Sequence, residues 1–327
     1  MRPVRRLFIA VLTFMLVIAT FASVTFAWIS LATINNIDGI GLTASAGEDL
    51  ELSIDGENFY NTLPSIFMNQ MFGGVSLKDI TTIDGITFNY GGLRSKYDEA
   101  IPNKDYVSFD VWIRTTRPQH HIYLINNISE TVDYDNPEPG TFAISQGIYW
   151  MANETFTNGP LPEDVVHIGD IDRYYAKDVI RIGIVELLDD LNPLDQRETS
   201  ELQNLIYDPQ ERPERGFGST YGAYSYFFNR TLRFLYLPET FPNTTYRLSE
   251  MDPRFPYQAL DNDSLIATLQ PTETYDEDNK VYYQAKVRIN IWAEGWDADA
   301  FDAIENDIVK VQLQFKAAYK AIETDLN

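Results

Sequence analysis

Apolar and polar residues alternate one by one through three long stretches of this chain, at positions 107–114, 281–292 and 309–317. In the longest stretch every second residue from 281 to 291 is apolar or aromatic, and the residues between them are mostly polar. A period of two places alternate side chains on opposite faces of a β-strand. The pattern therefore predicts three strands, each with one face toward a core and one toward solvent.

Shorter segments predict five further strands, and three segments have helical spacing instead. The predicted strands are 37–46, 50–55, 121–125, 179–185 and 224–237, and the predicted helices are 64–72, 197–207 and 297–306, the last with Asp297 as N-cap. Many half-buried strands and few helices are typical of antiparallel sheets that pack face to face. We therefore expect a mainly β fold, an antiparallel two-sheet sandwich that is jelly-roll-like or immunoglobulin-like.

The N-terminus predicts an export element. Three arginines within the first six residues precede residues 7–31, which contain no charged side chain. This run is longer than the roughly 7–15 residues of a signal-peptide core, and it reaches the about 20 residues of a membrane-spanning helix. Small residues before Ala27 also fit a cleavage site there, so residues 1–31 are either a signal peptide or a membrane-anchor helix. In both cases residues 7–31 contact the membrane at least before processing.

Basic residues stay on the cytoplasmic side of a membrane, so the rest of the chain is predicted to be extracellular or at the cell surface. Residues 32–327 form the predicted extracellular β-sandwich domain, which is long for a single sandwich. We assign the excess to long loop insertions near 130–175 and 192–219, where Pro, Gly, Asn and acidic residues are concentrated. Two sandwiches in tandem are the alternative.

Composition excludes several classes of partner and site for this domain. The chain carries 25 Lys and Arg against 48 Asp and Glu, which gives a net charge of −23, and it has no Cys. This negative charge repels nucleic-acid phosphates and anionic lipid headgroups, so we expect no nucleic-acid partner. The absence of Cys excludes disulfides, thiolate metal sites and cysteine nucleophiles.

No catalytic motif stands out in the sequence. The chain has neither a Gly-x-Ser-x-Gly nucleophile motif nor a phosphate-binding Gly-x₄-Gly-Lys-Ser/Thr loop. His120 and His121 are adjacent, so on a strand they point to opposite faces, and His167 has no ligand spacing to either. We therefore predict that the protein is not an enzyme and has no cofactor, unless its acidic turns bind calcium.

Closely spaced carboxylates are the pattern that suits calcium. Asp297, Asp299 and Asp302 fall within one short segment. Oxygen ligands at positions i and i+2 are found in Ca²⁺-binding loops. No segment matches the twelve-residue loop of an EF-hand, and acidic turns in so acidic a chain are also expected to be simply solvated. Both interpretations stay open.

Aromatic residues raise the alternative of glycan binding. Trp112, Tyr149, Trp150, Trp292 and Trp296 would form a platform for sugar rings if they were exposed together. Burial in a core is the commoner position for large aromatic side chains. The sequence leaves both interpretations open.

The two ends of the chain resemble a known group of surface proteins. The arginine-containing leader runs into Ala27-Trp28 and then into residues 37–46 (IDGIGLTASA) and 50–56 (LELSIDG), while residues 291–304 (IWAEGWDADAFDAI) look like a recurring C-terminal signature of such proteins. This plan is similar to that of the TasA/camelysin group of biofilm-matrix fibre proteins of Gram-positive-type bacteria. The middle of the chain is not matched.

The resemblance implies a jelly-roll sandwich that polymerises into a surface filament or biofilm-matrix fibre, in which the N-terminal strand of one subunit completes a sheet of the next. The donor strand would be residues 37–46, and the partner a second copy of the chain. A strand close behind a leader is also free to add to an exposed sheet edge. The assembly residues on this strand are Ile37, Ile40, Leu42 and Ala44. The alternative is a membrane-anchored surface adhesin or glycan-binding module held by residues 7–31.

Overall fold

Strands dominate the described part of the chain, as the alternating pattern predicts. A computed structural model describes residues 36–44, 50–63, 65–72, 75–90 and 98–321. The predicted leader helix at residues 1–31 and the predicted cleavage site at Ala27 lie outside the described residues. None of the described helices has the length and apolar character that crossing a membrane requires.

The described residues contain 21 strands and two α-helices. The strands are β1 (Asn36–Ala44), β2 (Leu50–Ser53), β3 (Thr62–Leu63), β4 (Asp79–Thr81), β5 (Asn89–Tyr90), β6 (Val107–Thr115), β7 (His121–Leu124), β8 (Phe142–Ser145), β9 (Ile148–Met151), β10 (Phe156–Thr157), β11 (Val165–Val166), β12 (Ile171–Tyr174), β13 (Ile180–Leu187), β14 (Asn204–Tyr207), β15 (Thr244–Thr245), β16 (Met251–Asp252), β17 (Phe255–Ala259), β18 (Leu265–Thr268), β19 (Gln270–Tyr275), β20 (Val281–Glu294) and β21 (Ile308–Ala318). The helices are α1 (Ser65–Phe72) and α2 (Ala223–Thr231), and 3-10 turns lie at Ala176–Val179, Thr199–Glu201 and Asp302–Ile304.

Strand β20 is the centre of the larger sheet. It pairs antiparallel with β13 along one edge, from Ala293 opposite Ile180 to Lys286 opposite Leu187, and antiparallel with β6 along the other edge. Its ends also pair with β19 and β4. The sheet continues through β14 and β15 beyond β13, through β2 beyond β6, and through β5 beyond β4. One long strand therefore connects most of this sheet.

Strand β21 is the centre of the other sheet. Antiparallel β7 and β8 lie along successive parts of one edge, and β1 runs parallel to it along the other. The sheet ends with β18 beyond β7 and with β3 beyond β1. Three strand pairs in the described residues are parallel, namely β1 with β21, β4 with β20 and β14 with β15. The predicted antiparallel pattern holds for the other named pairs.

The two sheets pack face to face over one apolar core. Val287 and Ile289 of β20 point into this core, as do Val311, Leu313 and Phe315 of β21. All five side chains are buried, as a period of two predicts. The predicted fold class, a mainly β two-sheet sandwich, is therefore confirmed.

The outer face of the larger sheet is covered at one end, where the sequence pattern predicts a face toward solvent. Asn290 and Trp292 lie on that face of β20, yet both are buried. The rings of Phe88 and Tyr106 stack there with centroids 4.3 Å apart, and Phe88 meets Trp292 edge-on at 5.1 Å. The prediction was wrong at this end because a segment distant in sequence packs against the strand.

One predicted strand is wrong. Residues 224–237 begin inside α2 and continue without a strand partner. The buried residues of α2 are Ala223, Tyr226 and Phe227, which have the i, i+3, i+4 spacing of a helix face. This spacing was present in the sequence, but the high aromatic content favoured a strand.

Two predicted helices are also wrong over most of their length. Residues 197–207 form a 3-10 turn followed by β14. Residues 297–306 retain only the 3-10 turn at Asp302–Ile304. Asp297 is not a helix N-cap, because no helix begins after it; its carboxylate accepts the backbone N–H of Asp299 in a turn. Short segments without a strong period take the structure that their tertiary contacts select.

The intervals that the sequence marks as insertions carry strands of their own. Residues 130–175 include β8 to β12, and β8 belongs to the sheet of β21. The pairs β9 with β12 and β10 with β11 form two small sheets. Residues 192–219 include β14, which extends the larger sheet. Both intervals are therefore partly built into the sandwich.

Truncation of a core side chain on β20 should destabilise the whole sandwich. Ile289 is fully buried, so Ile289→Ala removes apolar contacts and leaves a cavity, which lowers the free energy of unfolding by ~2–5 kcal/mol. Chemical denaturation followed by circular dichroism measures this change. Glu273→Ala, at an exposed position of β19, is the control and should shift the free energy by less than about 0.5 kcal/mol. Equal effects of the two substitutions would contradict the central position of β20.

Candidate functional site

The predicted donor strand is β1, which lies in a sheet of its own chain. Ile40 is opposite Val311 and Leu42 is opposite Leu313 in the parallel pairing with β21. Along its other edge β1 pairs with β3 only at Leu42 and Thr43. Most of that edge therefore has no neighbouring strand among the described residues.

The predicted assembly residues line the inner face of this strand. Ile40 and Leu42 are fully buried, Ile37 is buried, and Ala44 is half-buried. The first three belong to the main core between the sheets. Burying an Ile or Leu side chain contributes roughly 1.5–3 kcal/mol. We call the strand position beside β21 the β1 slot. The folded protein would lose much of its stability if no strand filled this slot.

The outer face of β1 is covered by the loop that precedes β8. The Tyr134 hydroxyl donates to the Asp38 carboxylate at 3.3 Å. Lys310 of β21 donates to the Tyr134 carbonyl at 3.0 Å and lies 3.6 Å from the Asp38 carboxylate. Gln312 of β21 donates to the Gly140 carbonyl at 2.9 Å. Polar contacts at a surface contribute about 0–1 kcal/mol each, so burial of the inner face does more to retain β1.

The acidic segment after β20 contacts a buried arginine. The guanidinium of Arg181, on β13, lies 3.1 Å from the Asp208 carboxylate and also donates to the Asp297 carboxylate. All three side chains are buried. Burial raises the pKa of Asp297, and the charge of Arg181 opposes this shift. The ion pairs are needed because a buried charge without a partner costs several kcal/mol, on the order of 3–5.

The other two predicted calcium ligands have separate partners. Arg215 donates from Nε to Asp299 at 2.8 Å. Asp302 accepts a hydrogen bond from the Tyr226 hydroxyl at 2.9 Å and lies 3.5 Å from Arg230. In the part of the chain that the structure describes, no group of three or more acidic or histidine side chains is arranged to hold a metal ion. Calcium binding stays a prediction.

Arg181 has three acidic neighbours, Asp208, Asp297 and Glu294. Burial raises the pKa of carboxylates in this region. Burial raises the pKa of Glu294 to about 7 and that of Asp178 to about 6. Glu294 accepts hydrogen bonds from Trp292 Nε1 and from the Trp296 backbone N–H, both at 3.1 Å. These bonds favour the charged carboxylate but do not offset its burial. The end of β20 therefore carries a group that changes charge near neutral pH.

The aromatic residues predicted as a sugar platform are not brought together. Trp112 and Trp292 are buried, and Trp150 packs against the main core. Tyr149 is exposed on β9, in one of the small sheets. Trp296 lines an open groove. Of the five residues, Trp296 is therefore the one with a place in a described groove.

Sequence reasoning missed the other residues of this groove. Two of its walls are residues 81–90 and residues 234–240. The second wall follows α2, and its residues 234–237 belong to the segment predicted as a strand. Phe234 and Tyr236 are exposed there. The signal was an apolar run, residues 234–237, without a recognisable partner strand. Only the tertiary structure places it beside residues 81–90.

Glu294→Gln should change how stability depends on pH. Glu294 holds its proton more tightly in the folded state, so between its usual pKa of 4.5 and its folded value of about 7 the free energy of unfolding falls as pH rises. Across this range Glu294 loses a contribution to the free energy of unfolding on the order of 3 kcal/mol. Gln does not titrate, so the variant lacks this pH-dependent contribution. Urea unfolding of both proteins at several pH values across this range measures the difference. The stability of the variant relative to the parent should rise with pH, and a constant difference would contradict the raised pKa.

No protein-family model, no curated protein and no solved structure matches this chain. We therefore infer its function from its own residues and contacts.

Proposed function

We propose that this protein is an extracellular structural subunit of a surface filament or biofilm-matrix fibre, in which β1 of one subunit fills the β1 slot of the next. The observation that carries the proposal is the slot itself. It is an apolar position beside β21, filled by the first described strand through Ile40 and Leu42. The resemblance of the chain ends to the TasA/camelysin group supports the same assignment.

The strand in the slot is replaceable by the same strand of another copy. β1 and β21 are the first and last described strands, so no short covalent connection between them requires that both come from one molecule. Main-chain hydrogen bonds supply affinity in such strand addition, and pockets for alternate side chains fix the register. Ile40 and Leu42 would occupy the same pockets in either case.

Chain length limits how far an exchanged strand can reach. Five residues separate Ala44, the end of β1, from Leu50, the start of β2. Fully extended, that connection spans about 20 Å at most. Donor and acceptor subunits must therefore be in direct contact. Because the donor strand and the slot are different surfaces, the contact is head-to-tail and can repeat into an open filament.

The alternative is a membrane-anchored surface adhesin or glycan-binding module, in which β1 stays in its own chain. The pairing of β1 with β21 of its own chain supports this alternative as strongly as it supports the fibre subunit. A closed chain and a fibre subunit make the same strand contacts and differ only in which molecule supplies β1. Cross-linking between chains is therefore the decisive experiment.

Cysteines placed across β1 and β21 should report exchange between chains. The protein has no Cys of its own. Gly41 and Gln312 are partners in register, and a β-carbon at position 41 would lie 3.5 Å from Gln312 Cγ, which is within disulfide reach. Gly41→Cys and Gln312→Cys are introduced into separate full-length chains, which are mixed before assembly and then oxidised. We expect disulfide-linked dimers in the filament fraction on non-reducing gels.

The control mixture combines Gly41→Cys with Glu273→Cys, whose position is exposed on the larger sheet. It should yield few dimers. The double variant Gly41→Cys/Gln312→Cys tests whether the pair can cross-link at all. If that double variant cross-links within one chain while the mixed single variants give no more dimer than the control, β1 is not exchanged and the anchored module is the better assignment.

A further inference from the structure

A groove of about 1020 Å³ lies beside β4 and β5, at one end of the larger sheet. Its aromatic lining residues are Tyr90, Phe217, Phe234, Tyr236 and Trp296. Phe234 is 71 % exposed and Tyr236 is 94 % exposed. Clustered exposed aromatic side chains of this size commonly mark a binding site. We call this feature the aromatic groove.

The first wall of the aromatic groove is a turn fixed by side-chain hydrogen bonds. The Asp84 carboxylate accepts the backbone N–H groups of the second and third residues after it, each at 2.8 Å. Asn204 donates to the Asp84 carbonyl at 2.7 Å, and Asn290 donates to the Gly85 carbonyl at 3.0 Å. Gly85 has a φ of 70°, a left-handed conformation that favours glycine. This wall is therefore preformed.

The second wall is an extended segment held by α2. The ring centroid of Phe234 lies 4.4 Å from that of Phe228. The Tyr224 hydroxyl donates to the Leu235 carbonyl at 3.1 Å. These contacts fix the backbone beside Tyr236 while leaving its ring exposed. Both walls are thus held by contacts within the chain, as is usual for preformed binding sites.

The polar lining of the aromatic groove indicates the charge of its ligand. Thr87, Asn89, Thr240 and the carboxylate of Glu239 line the groove, and among the described residues no Lys or Arg does. Together with a chain net charge of −23, this lining repels anionic ligands. Nucleic acids, acidic polysaccharides and anionic lipids are therefore disfavoured.

The remaining chemistry fits sugars. A sugar ring has an apolar face of C–H groups that packs against an aromatic ring, and a rim of hydroxyl groups that both donate and accept hydrogen bonds. Phe234, Tyr236 and Trp296 offer the rings, and Asn89 and Glu239 offer the amide and carboxylate groups. The volume is at the top of the roughly 300–1,000 Å³ of ordinary ligand sites, which suits several linked sugars.

We propose that the aromatic groove binds a neutral glycan chain, with Phe234, Tyr236 and Trp296 stacking on its sugar rings. None of the residues that line the groove belongs to β1, β3 or β21. The inference therefore does not rest on filament assembly, and either can fail while the other holds.

Isothermal titration calorimetry tests this binding. The full chain is titrated with neutral hexasaccharides of glucose, mannose and N-acetylglucosamine. At least one of them binds and changes the tryptophan fluorescence through Trp296. Tyr236→Ala and Phe234→Ala each weaken binding by about tenfold or more, as loss of a central aromatic contact does. An acidic hexasaccharide of galacturonate binds about tenfold more weakly than the best neutral one, because the groove repels anions.

Leu232→Ala is the matched control, because Leu232 is 78 % exposed on the same segment but does not line the groove. Its affinity stays within about twofold of the parent. Failure of every neutral hexasaccharide to bind, or equal losses in Leu232→Ala and Tyr236→Ala, overturns the proposal. Sedimentation velocity measures self-association of the parent and of the same variants. If Phe234→Ala and Tyr236→Ala abolish self-association instead of glycan binding, the groove is a contact between copies of the chain and not a glycan site.

Discussion

Backbone pairing of β20 with β13 on one side and β6 on the other is the interaction on which the other features depend. The inner face of β20 supplies Val287 and Ile289 to the core between the sheets. Its outer face carries Trp292 into a second apolar cluster. Its last residue, Glu294, accepts the backbone N–H of Trp296 in the aromatic groove. The core, the buried charges and the groove therefore share one strand, and displacement of β20 would affect all three.

Arginine–carboxylate pairs attach the inserted interval 192–219 to the sandwich. Arg197 bridges Asp195 and Glu186, at 2.8 and 2.6 Å. Arg181 bridges Asp208 and Asp297 in the same manner, and Arg215 pairs with Asp299. Each arginine replaces the water that the buried carboxylates lose, so removal of one partner would leave an uncompensated charge. In a chain with an excess of acidic residues, these few arginines compensate the buried carboxylates of Glu186, Asp208 and Asp297.

The two proposed contacts lie on different sheets. The β1 slot belongs to the sheet of β21, whereas the aromatic groove lies beside β4 and β5 of the larger sheet. Because the groove does not use the residues of the slot, addition of a subunit and binding of a glycan would not compete for the same side chains. A fibre subunit with an accessible sugar site would link protein filaments to the polysaccharide around them.

The sequence by itself determined which side chains of β6, β20 and β21 enter the core between the sheets, because the period of two is a local property of an extended backbone. It failed at 224–237, where the high aromatic content favoured a strand over the helix spacing that was present. It also failed at 297–306, where the local pattern is short and distant contacts select the structure. Three features were decided only by the tertiary structure: the parallel position of β1 beside β21, the arginine partner of Asp297, and the meeting of residues 81–90 with 234–240. Each joins residues far apart in the chain, and such pairings depend on how the sheets pack and not on any local period.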